Sequence, residues 1–508
     1  MGELNQTLKK LKKIMSYQLS GGIFAFIISF IFYFETLAPS VLWGDSGNLQ
    51  IRAYELSLRA DALGHPLYII IGKLFTLLPF GSIAFRVNLA SAFFASLTVM
   101  LVYLSVFKLT SSKIASYTSA FTLAISHTFW RHAVIAEVYT LNMFFLFLII
   151  NILLNWKINR NPKLLYLSSF IYGISLSNHL LMLLIIPGIF YFIIATNCKV
   201  LFSKKQLSLM VISFLLGLSL LFYLIFRSYL TSNIGLRGIV ESALFGGLWK
   251  REILTFFLTS LPKNLVRYFA YLFYQFPLVS FLFGSIGGWQ IFKIDKKSGI
   301  FLFLIFIFNI LFAIDYNVKD QYVFFLPSYG VFSIWIGLGM RNFVTHFNGK
   351  TLISLMLLGM LSFPIFLYKL TPVIIERMGI RLFQTRDIPG RNNDLYFLWP
   401  SQRNYFGAEN YGRESLRVVE PNAIILADYT PITVLRYLQS VEQIRPDVKL
   451  IFIESIDVFK FIDSKIKEFP IYLADKEPYY QILKISEKYN IISQGPIFKV
   501  IIIDRGSQ

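Results

Sequence analysis

Long apolar runs separated by short polar segments fill the first three quarters of the chain. They fall near residues 18–37, 84–107, 114–130, 139–156, 164–178, 180–196, 207–229, 265–293, 299–314, 321–340 and 351–368. A helix that crosses a bilayer needs about 17–25 apolar residues, and each run supplies that or nearly so, which predicts about eleven transmembrane helices. The runs 164–178 and 180–196 are separated only by the turn Ser177, Asn178 and His179, which reads as a hairpin of short helices. From about residue 370 the long runs stop, and charged, Asn and Pro residues return. Residues 422–428, 448–453, 471–473 and 498–503 read as strands, and 433–440, 459–467 and 479–488 as helices. Strands alternating with helices predict a small layered α/β domain. The fold class is thus a polytopic α-helical membrane protein, residues 1–369, with a C-terminal soluble α/β domain, residues 370–508.

Composition agrees with this pattern. The chain is 56% hydrophobic and 15% charged, with a mean hydropathy of +0.60. A soluble chain carries about 25% charged residues, so lipid must cover much of this surface. The formal net charge of +20 would point to nucleic acid in a soluble protein. Here the basic residues lie in short segments between apolar runs, where membrane topology accounts for them and no nucleic-acid partner is needed.

The excess of Lys and Arg in cytoplasmic loops sets orientation. With a cytoplasmic N-terminus the inner loops hold Lys108 and Lys113; Lys157, Arg160 and Lys163; Lys199, Lys204 and Lys205; Lys293, Lys296 and Lys297; and Arg341 and Lys350, with Asp295 their only acid. Lys9, Lys10, Lys12 and Lys13 precede the first run as they would in a signal peptide. That run lacks a small-residue cleavage site and reads as a retained helix. An odd helix count sends the C-terminal domain to the extracytoplasmic side of the cell membrane. The single cysteine, Cys198, excludes a disulfide framework and a Cys-based metal cluster. No GxGxxG or Walker A motif marks a nucleotide site.

The outer segments differ from the inner ones. A long first outer segment, 38–85, contains Asp45, Glu55, Asp61, His65 and Lys73 and leads to Arg86. Arg131, His132 and Glu137 lie in the next outer turn, and His179 in the one after. Arg227 follows, then Asp315, Lys319 and Asp320. Ionisable groups at membrane depth are costly and mark function. Carboxylates serve as general bases, and Arg, Lys and His hold a phosphate's charge. Bland alternatives exist: Lys73, Arg86 and Arg227 near helix ends can snorkel, and Asp61 can cap the helix after it. Asp45 is harder to read so, because it stands between Gly44 and Gly47 at the membrane exit, where glycine lets backbone approach a ligand.

At these residues the sequence resembles a known family. WGDSGN, followed by GHPLYIIIGKLFTLLPFGSIAFRVNLASA, is similar to the first-loop signature of a large family of GT-C-type membrane proteins that includes eukaryotic protein O-mannosyltransferases. AEVYTLNMFF, SNHLLMLLIIP and DYNVKDQYVFFLPSY resemble its later motifs, and LRYLQSVEQIRPDVKLI its soluble-domain signature. Two positions depart from the family pattern: Asn48 stands where an acid is common, and the His65-Pro66-Leu67-Tyr68 run is shorter than usual. The resemblance implies a membrane glycosyltransferase that moves a sugar, such as mannose, from a polyprenyl-phosphate donor to a hydroxyl of a protein or glycan acceptor on the non-cytoplasmic face. It implies an essential acid in the first outer loop, a place that Asp45 occupies. Glu137 is the competing base; Arg131, His179, His65 and Arg227 are the candidates for the lipid phosphate. Asp61, Lys73, Arg86, His132, Asp315 and Asp320 are further outer-face candidates. No cofactor is called for, and a divalent cation is left open. The rival readings are a transporter or flippase of lipid-linked glycan, which calls for paired broken helices in two related halves that the sequence does not show, and a noncatalytic assembly subunit.

The orientation is directly testable. A cysteine introduced at Ser440 is expected to react with an impermeant reagent on intact cells; labelling only after permeabilisation would reverse the topology.

Overall fold

The computed structural model describes residues 2–59, 64–231, 235–245, 261–316, 318, 320–347, 349–382 and 386–503, with side chains from residue 18 onward except at 244 and 245. Helix α1 (Gly2–Thr36) begins well before its apolar run. The first outer segment carries two helices, α2 (Asp45–Glu55) and α3 (Pro66–Thr76). Then come α4 (Ile83–Thr110), α5 (Lys113–Ala124), α6 (His127–Ala133) and α7 (Tyr139–Asn159). Ser82 caps α4 by accepting from the Phe85 amide at 3.1 Å.

Buried polar groups fix α2. Gln50 donates to Asn88 Oδ1 at 2.8 Å, and Asn88 donates to the Ala38 carbonyl at 3.0 Å. Arg52 closes the chain beyond α2 by donating to the carbonyls of Ser57, at 3.2 Å, and Gly64, at 2.7 Å. Asp61 and Lys319 lie outside the described residues.

Among the described residues, six helices are long and apolar enough to cross a membrane: Gln18–Thr36, Ile83–Thr110, Tyr139–Asn159, Leu180–Asn197, Lys296–Asp315 and Lys350–Arg377. Two bent pairs bring the number to eight if each is one span. Lys204–Gly217 with Ser219–Thr231 bends by 53°, and Leu261–Gln275 with Val279–Ile294 by 113°. The runs at 114–130, 164–178 and 321–340 form α5 with α6, Lys163–Leu176 and Leu326–His346.

Leu326–His346 is the central helix, with every residue from Leu326 to Met340 buried. Glycines let Val279–Ile294 approach it closely. A Cβ on Gly287 would stand 1.9 Å from the Trp335 carbonyl oxygen, and one on Gly339 would stand 2.2 Å from that of Phe283. Small residues at such crossings let helix backbones meet where lipid offers no hydrophobic drive for association.

Lys350–Arg377 runs past the boundary expected at residue 369. The apolar pattern continues through Val373, Ile374 and Ile375, and the helix stops where Gly379 adopts φ +66°. Beyond it lies a five-stranded sheet. Its strands are β1 (Ile424–Ala427), β2 (Lys449–Phe452), β3 (Ile471–Leu473), β4 (Tyr489–Gln494) and β5 (Ile497–Ile502), in the order β2-β1-β3-β5-β4. β1 pairs parallel with β2 and β3, placing Ile424 opposite Lys449 and Ile471. β5 runs antiparallel to β3 and β4. The sequence pattern anticipates β1, β2, β3 and β5 but not β4, whose alternation of polar and apolar residues is weak. The segment expected as one helix at 479–488 is a 3-10 turn, Pro478–Tyr480, followed by the short helix Ile482–Ser486.

This α/β unit docks on the first outer segment. Val41, Trp43, Ile51 and Ala84 belong to its hydrophobic core. Trp43 Nε1 donates to the Tyr405 hydroxyl at 2.8 Å, the Gly44 amide to Thr433 Oγ1 at 3.0 Å, and the Ala84 amide to the Tyr437 hydroxyl at 2.9 Å.

The glycine crossing yields a stability test. Gly339→Ala is expected to cost about 1–3 kcal/mol, because the obstacle is backbone and cannot rotate away. Gly359→Ala, with nothing within 4 Å of the added carbon, is expected to leave thermal unfolding in detergent unchanged.

Candidate functional site

An open cavity of about 180 Å³ lies where α2, α6, the segment before α7 and the α/β unit meet. Asp45, Glu137 and Asp320 line it, together with Arg131 and Arg391, His132, Tyr139 and Tyr396.

Asp45 is the first residue of α2, preceded by Gly44 at φ 64°. At that φ only glycine sits without strain. Gly47, one turn along, is required for a different reason: a Cβ there would stand 2.7 Å from the Leu42 carbonyl oxygen. Asp45 Oδ1 accepts a hydrogen bond from the Tyr429 hydroxyl at 2.6 Å, and Asn48 Nδ2 donates to the same hydroxyl at 3.4 Å.

Arg131 lies on α6 with only 3% of its surface exposed. Its guanidinium stacks on the Tyr396 ring, 4.2 Å from the centroid. Its Nη1 is buried without a hydrogen-bond partner. A buried cation with an unused donor at a cavity wall is placed to receive an anion. Arg391 approaches the same ring at 5.7 Å and anchors its Nε on Asn393 Oδ1 at 2.7 Å. Burial lowers the Arg391 pKa from its usual value.

The acids interact. Burial first, then the charges of Asp45 and Asp320, push the Glu137 carboxyl well above the usual carboxylate range, with Arg131 pulling partly back. Burial, then Asp45, raise Asp320 to about 6. Burial and the neighbouring acids therefore favour the neutral form of Glu137, whereas Asp320 changes charge just below neutral pH. His132 donates or accepts at the Thr128 carbonyl, 2.8 Å away, and burial lowers it to about 4, which keeps it neutral.

The remaining sequence candidates separate into distinct places. His65 and His179 stack at 5.3 Å in a neighbouring, smaller pocket with Asn178 and Leu221. His65 Nδ1 contacts the Asn178 carbonyl at 2.7 Å, and His179 Nδ1 accepts from the Leu181 amide. Burial, then His65, push His179 well below its ordinary value. The Tyr139 ring stands between the pockets, 5.2 Å from His132 and 5.6 Å from His179. Arg227 is exposed on Ser219–Thr231 and lines neither pocket. Lys73 donates to the Tyr54 carbonyl at 2.5 Å, and Arg86 is spent on the carbonyls of Thr76, Phe80 and Gly81. Asp315 ends Lys296–Asp315 and lines neither pocket. Among the described residues no three His, Cys, Asp or Glu side chains are grouped to hold a metal ion.

Sequence reasoning missed Arg391, Tyr396 and Tyr322 as cavity residues, and the contact of Tyr429 with Asp45. The aromatic stretch that follows Arg391, NDLYFLW, is the signal that could have drawn attention to the first two.

Residues 45–202 match the family described as the protein O-mannosyl-transferase TMEM260 N-terminal domain. The chain is 25% identical over 508 residues to protein O-mannosyl-transferase tmem260 of Dictyostelium discoideum, covering 90% of this chain and 59% of that protein. It is 26% identical over 495 residues to protein O-mannosyl-transferase TMEM260 of Mus musculus, covering 89% of this chain and 65% of that protein. The chain therefore spans less than two thirds of the length of either relative. The crystal structure of ArnT from Cupriavidus metallidurans bound to undecaprenyl phosphate superposes with a TM-score of 0.58 at 12% identity, over 96% of this chain and 99% of that one. The apo form of that protein gives 0.55 at 13% identity, over 95% and 98%. The fold is thus ArnT-like, a mostly helical membrane protein with several apolar helices.

The titration of Asp320 has a measurable consequence. Below about pH 6 it is neutral and above that it is charged, beside Asp45, Glu137, Arg131 and Arg391. Affinity for an anion is expected to fall roughly three- to tenfold as pH rises from 5 to 7.5. Calorimetry with a short-chain isoprenyl phosphodiester, whose own charge stays constant, measures it. Asp320→Asn is expected to abolish the difference.

Proposed function

We propose that this chain is a membrane glycosyltransferase that moves a sugar, with mannose the foremost candidate, from a polyprenyl-phosphate donor to a hydroxyl of a protein acceptor on the non-cytoplasmic face. One observation carries the reading: a buried Arg131 with an unused donor shares a cavity with Asp45, and both lie within the residues that match the family domain. The relatives' names as protein O-mannosyl-transferases, and the undecaprenyl phosphate held by an ArnT of the same fold, support the donor and acceptor classes.

In this reading Asp45 takes the proton of the acceptor hydroxyl. The acceptor oxygen attacks the anomeric carbon as the bond from that carbon to the phosphate oxygen breaks. The departing electron pair stays on the polyprenyl phosphate, whose charge Arg131 holds. Direct displacement inverts the anomeric centre. Glu137, whose burial favours the neutral carboxyl, suits hydrogen-bond donation better than proton uptake, which favours Asp45. His65 and His179 form the neighbouring pocket behind Tyr139 and are assigned no direct contact with the phosphate. Arg227 is assigned no part.

The topology belongs to the same proposal: eleven crossings, a cytoplasmic N-terminus, and an extracytoplasmic α/β domain at the cell membrane. Asn264 donates to the Ile314 carbonyl, and Gln275 exchanges hydrogen bonds with Thr128. Both partners lie at helix ends on the cavity side. Leu261–Gln275 therefore runs along that face, and Val279–Ile294 alone completes the crossing. The opposite end carries the Lys157–Asp295 ion pair, in loops that the distribution of basic residues assigns to the cytoplasm.

Purified full-length protein, given a panel of polyprenyl-phosphate sugars and a serine/threonine peptide, is expected to release polyprenyl phosphate. Asp45→Asn is expected to reduce turnover by ~10²–10⁴-fold at saturating donor, while Glu137→Gln keeps most of it. The opposite ranking moves the base to Glu137, and full activity in both variants overturns the mechanism.

A further inference from the structure

The C-terminal unit does more than cover the cavity. Its helix Tyr429–Ser440 begins directly after β1, and Asp428 caps it by accepting from the Thr430 amide at 3.1 Å. Asp428 is itself fixed by Arg386 at 2.6 Å and by the Tyr480 hydroxyl at 2.7 Å. The backbone at Tyr429 is thus clamped from inside the α/β unit. Thr433, one turn along, accepts from the Gly44 amide, which brings the start of this helix against the start of α2.

We infer that Tyr429 is a positioning residue for the proposed transfer: its hydroxyl, supplied by the C-terminal domain, holds one oxygen of Asp45 so that the other faces the cavity. The inference rests on the transferase reading above. Its geometry is directional. A phenol has one proton to donate. Asn48 Nδ2 donates into the phenol oxygen, so that proton is committed to Asp45 Oδ1 at 2.6 Å. No hydrogen bond to Oδ2 occurs among the described residues, and Asp45 lines the cavity. A reactive group is oriented in this way when a third side chain fixes its rotamer. An acid at position 48 would compete for the same proton, whereas Asn48 reinforces the arrangement.

The test uses the full chain, a polyprenyl-phosphate sugar that the parent accepts, and release of the lipid phosphate as readout. Tyr429→Phe keeps the ring and removes the hydroxyl. It is expected to lower kcat roughly tenfold with the KM for donor unchanged. In an Asp45→Asn background the same substitution is expected to cost nothing further, because the group it positions no longer acts as a base. Thr433→Val removes a neighbouring hydrogen bond between the domains and controls for loosened docking; it is expected to stay within about twofold of the parent. Parent-like kcat in Tyr429→Phe overturns the role. So does an equal loss in the Asp45→Asn background, or a matching loss in Thr433→Val. A parent that releases lipid phosphate from no member of the panel overturns the transferase reading, and this role with it.

Discussion

The site depends on one strip of chain, residues 41–51, being buried from two sides. Val41, Trp43 and Ile51 sit in the core of the α/β unit, while Leu42 and Leu49 sit in the core of the membrane domain. Neighbouring residues thus point into different cores. Burying a side chain of this size is worth ~1.5–3 kcal/mol, whereas a single hydrogen bond between the domains contributes ~0.5–1.5 kcal/mol. Apolar burial therefore sets the relative position of the two parts, and the hydrogen bonds from Trp43, Gly44 and Ala84 choose the register within it. Asp45 lies in the middle of this strip and cannot turn away without emptying one core or the other.

Confinement of that kind determines the electrostatics. Asp45, Glu137 and Asp320 line one cavity, and the field of Asp45 adds to burial in raising both Glu137 and Asp320. In the same cavity Tyr396 presents its face to both Arg131 and Arg391. An aromatic face supports a guanidinium without neutralising it. The cavity therefore holds available positive charge together with a fixed carboxylate. That is the pairing a reaction needs when it takes a proton from one group and leaves negative charge on another.

Much of this fold was legible in the sequence, because the signals involved are local. Every apolar run became one or more helices, and β1, β2, β3 and β5 formed at apolar stretches flanked by polar ones. β4 was missed because Asn490 and Ser493 break its pattern, and it is held as a strand mainly by β5. The site was legible only on its membrane side. Asp45 stood out through its glycines, and Arg131, Glu137 and Asp320 through the cost of charge near lipid. Tyr429 lies 384 residues from its partner and looks like any residue after a strand. Arg391 and Tyr396 sit in an irregular segment whose sequence has no period to read. Their role comes from the fold bringing them to α6.

Position near the membrane surface did not by itself separate structural charges from available ones. Lys73, Arg86 and Arg131 all looked alike on that ground. What separates them is where their hydrogen-bonding capacity goes. Arg86 spends its guanidinium on three backbone carbonyls and so stabilises the turn before α4; Lys73 does the same for the Tyr54 carbonyl. Arg131 is more deeply buried than either, yet keeps Nη1 without a partner. Buried donors are almost always satisfied, since leaving one unpaired costs about 1–3 kcal/mol. At the wall of a cavity that also holds a carboxylate fixed by two cores, such a donor is placed to receive an anion.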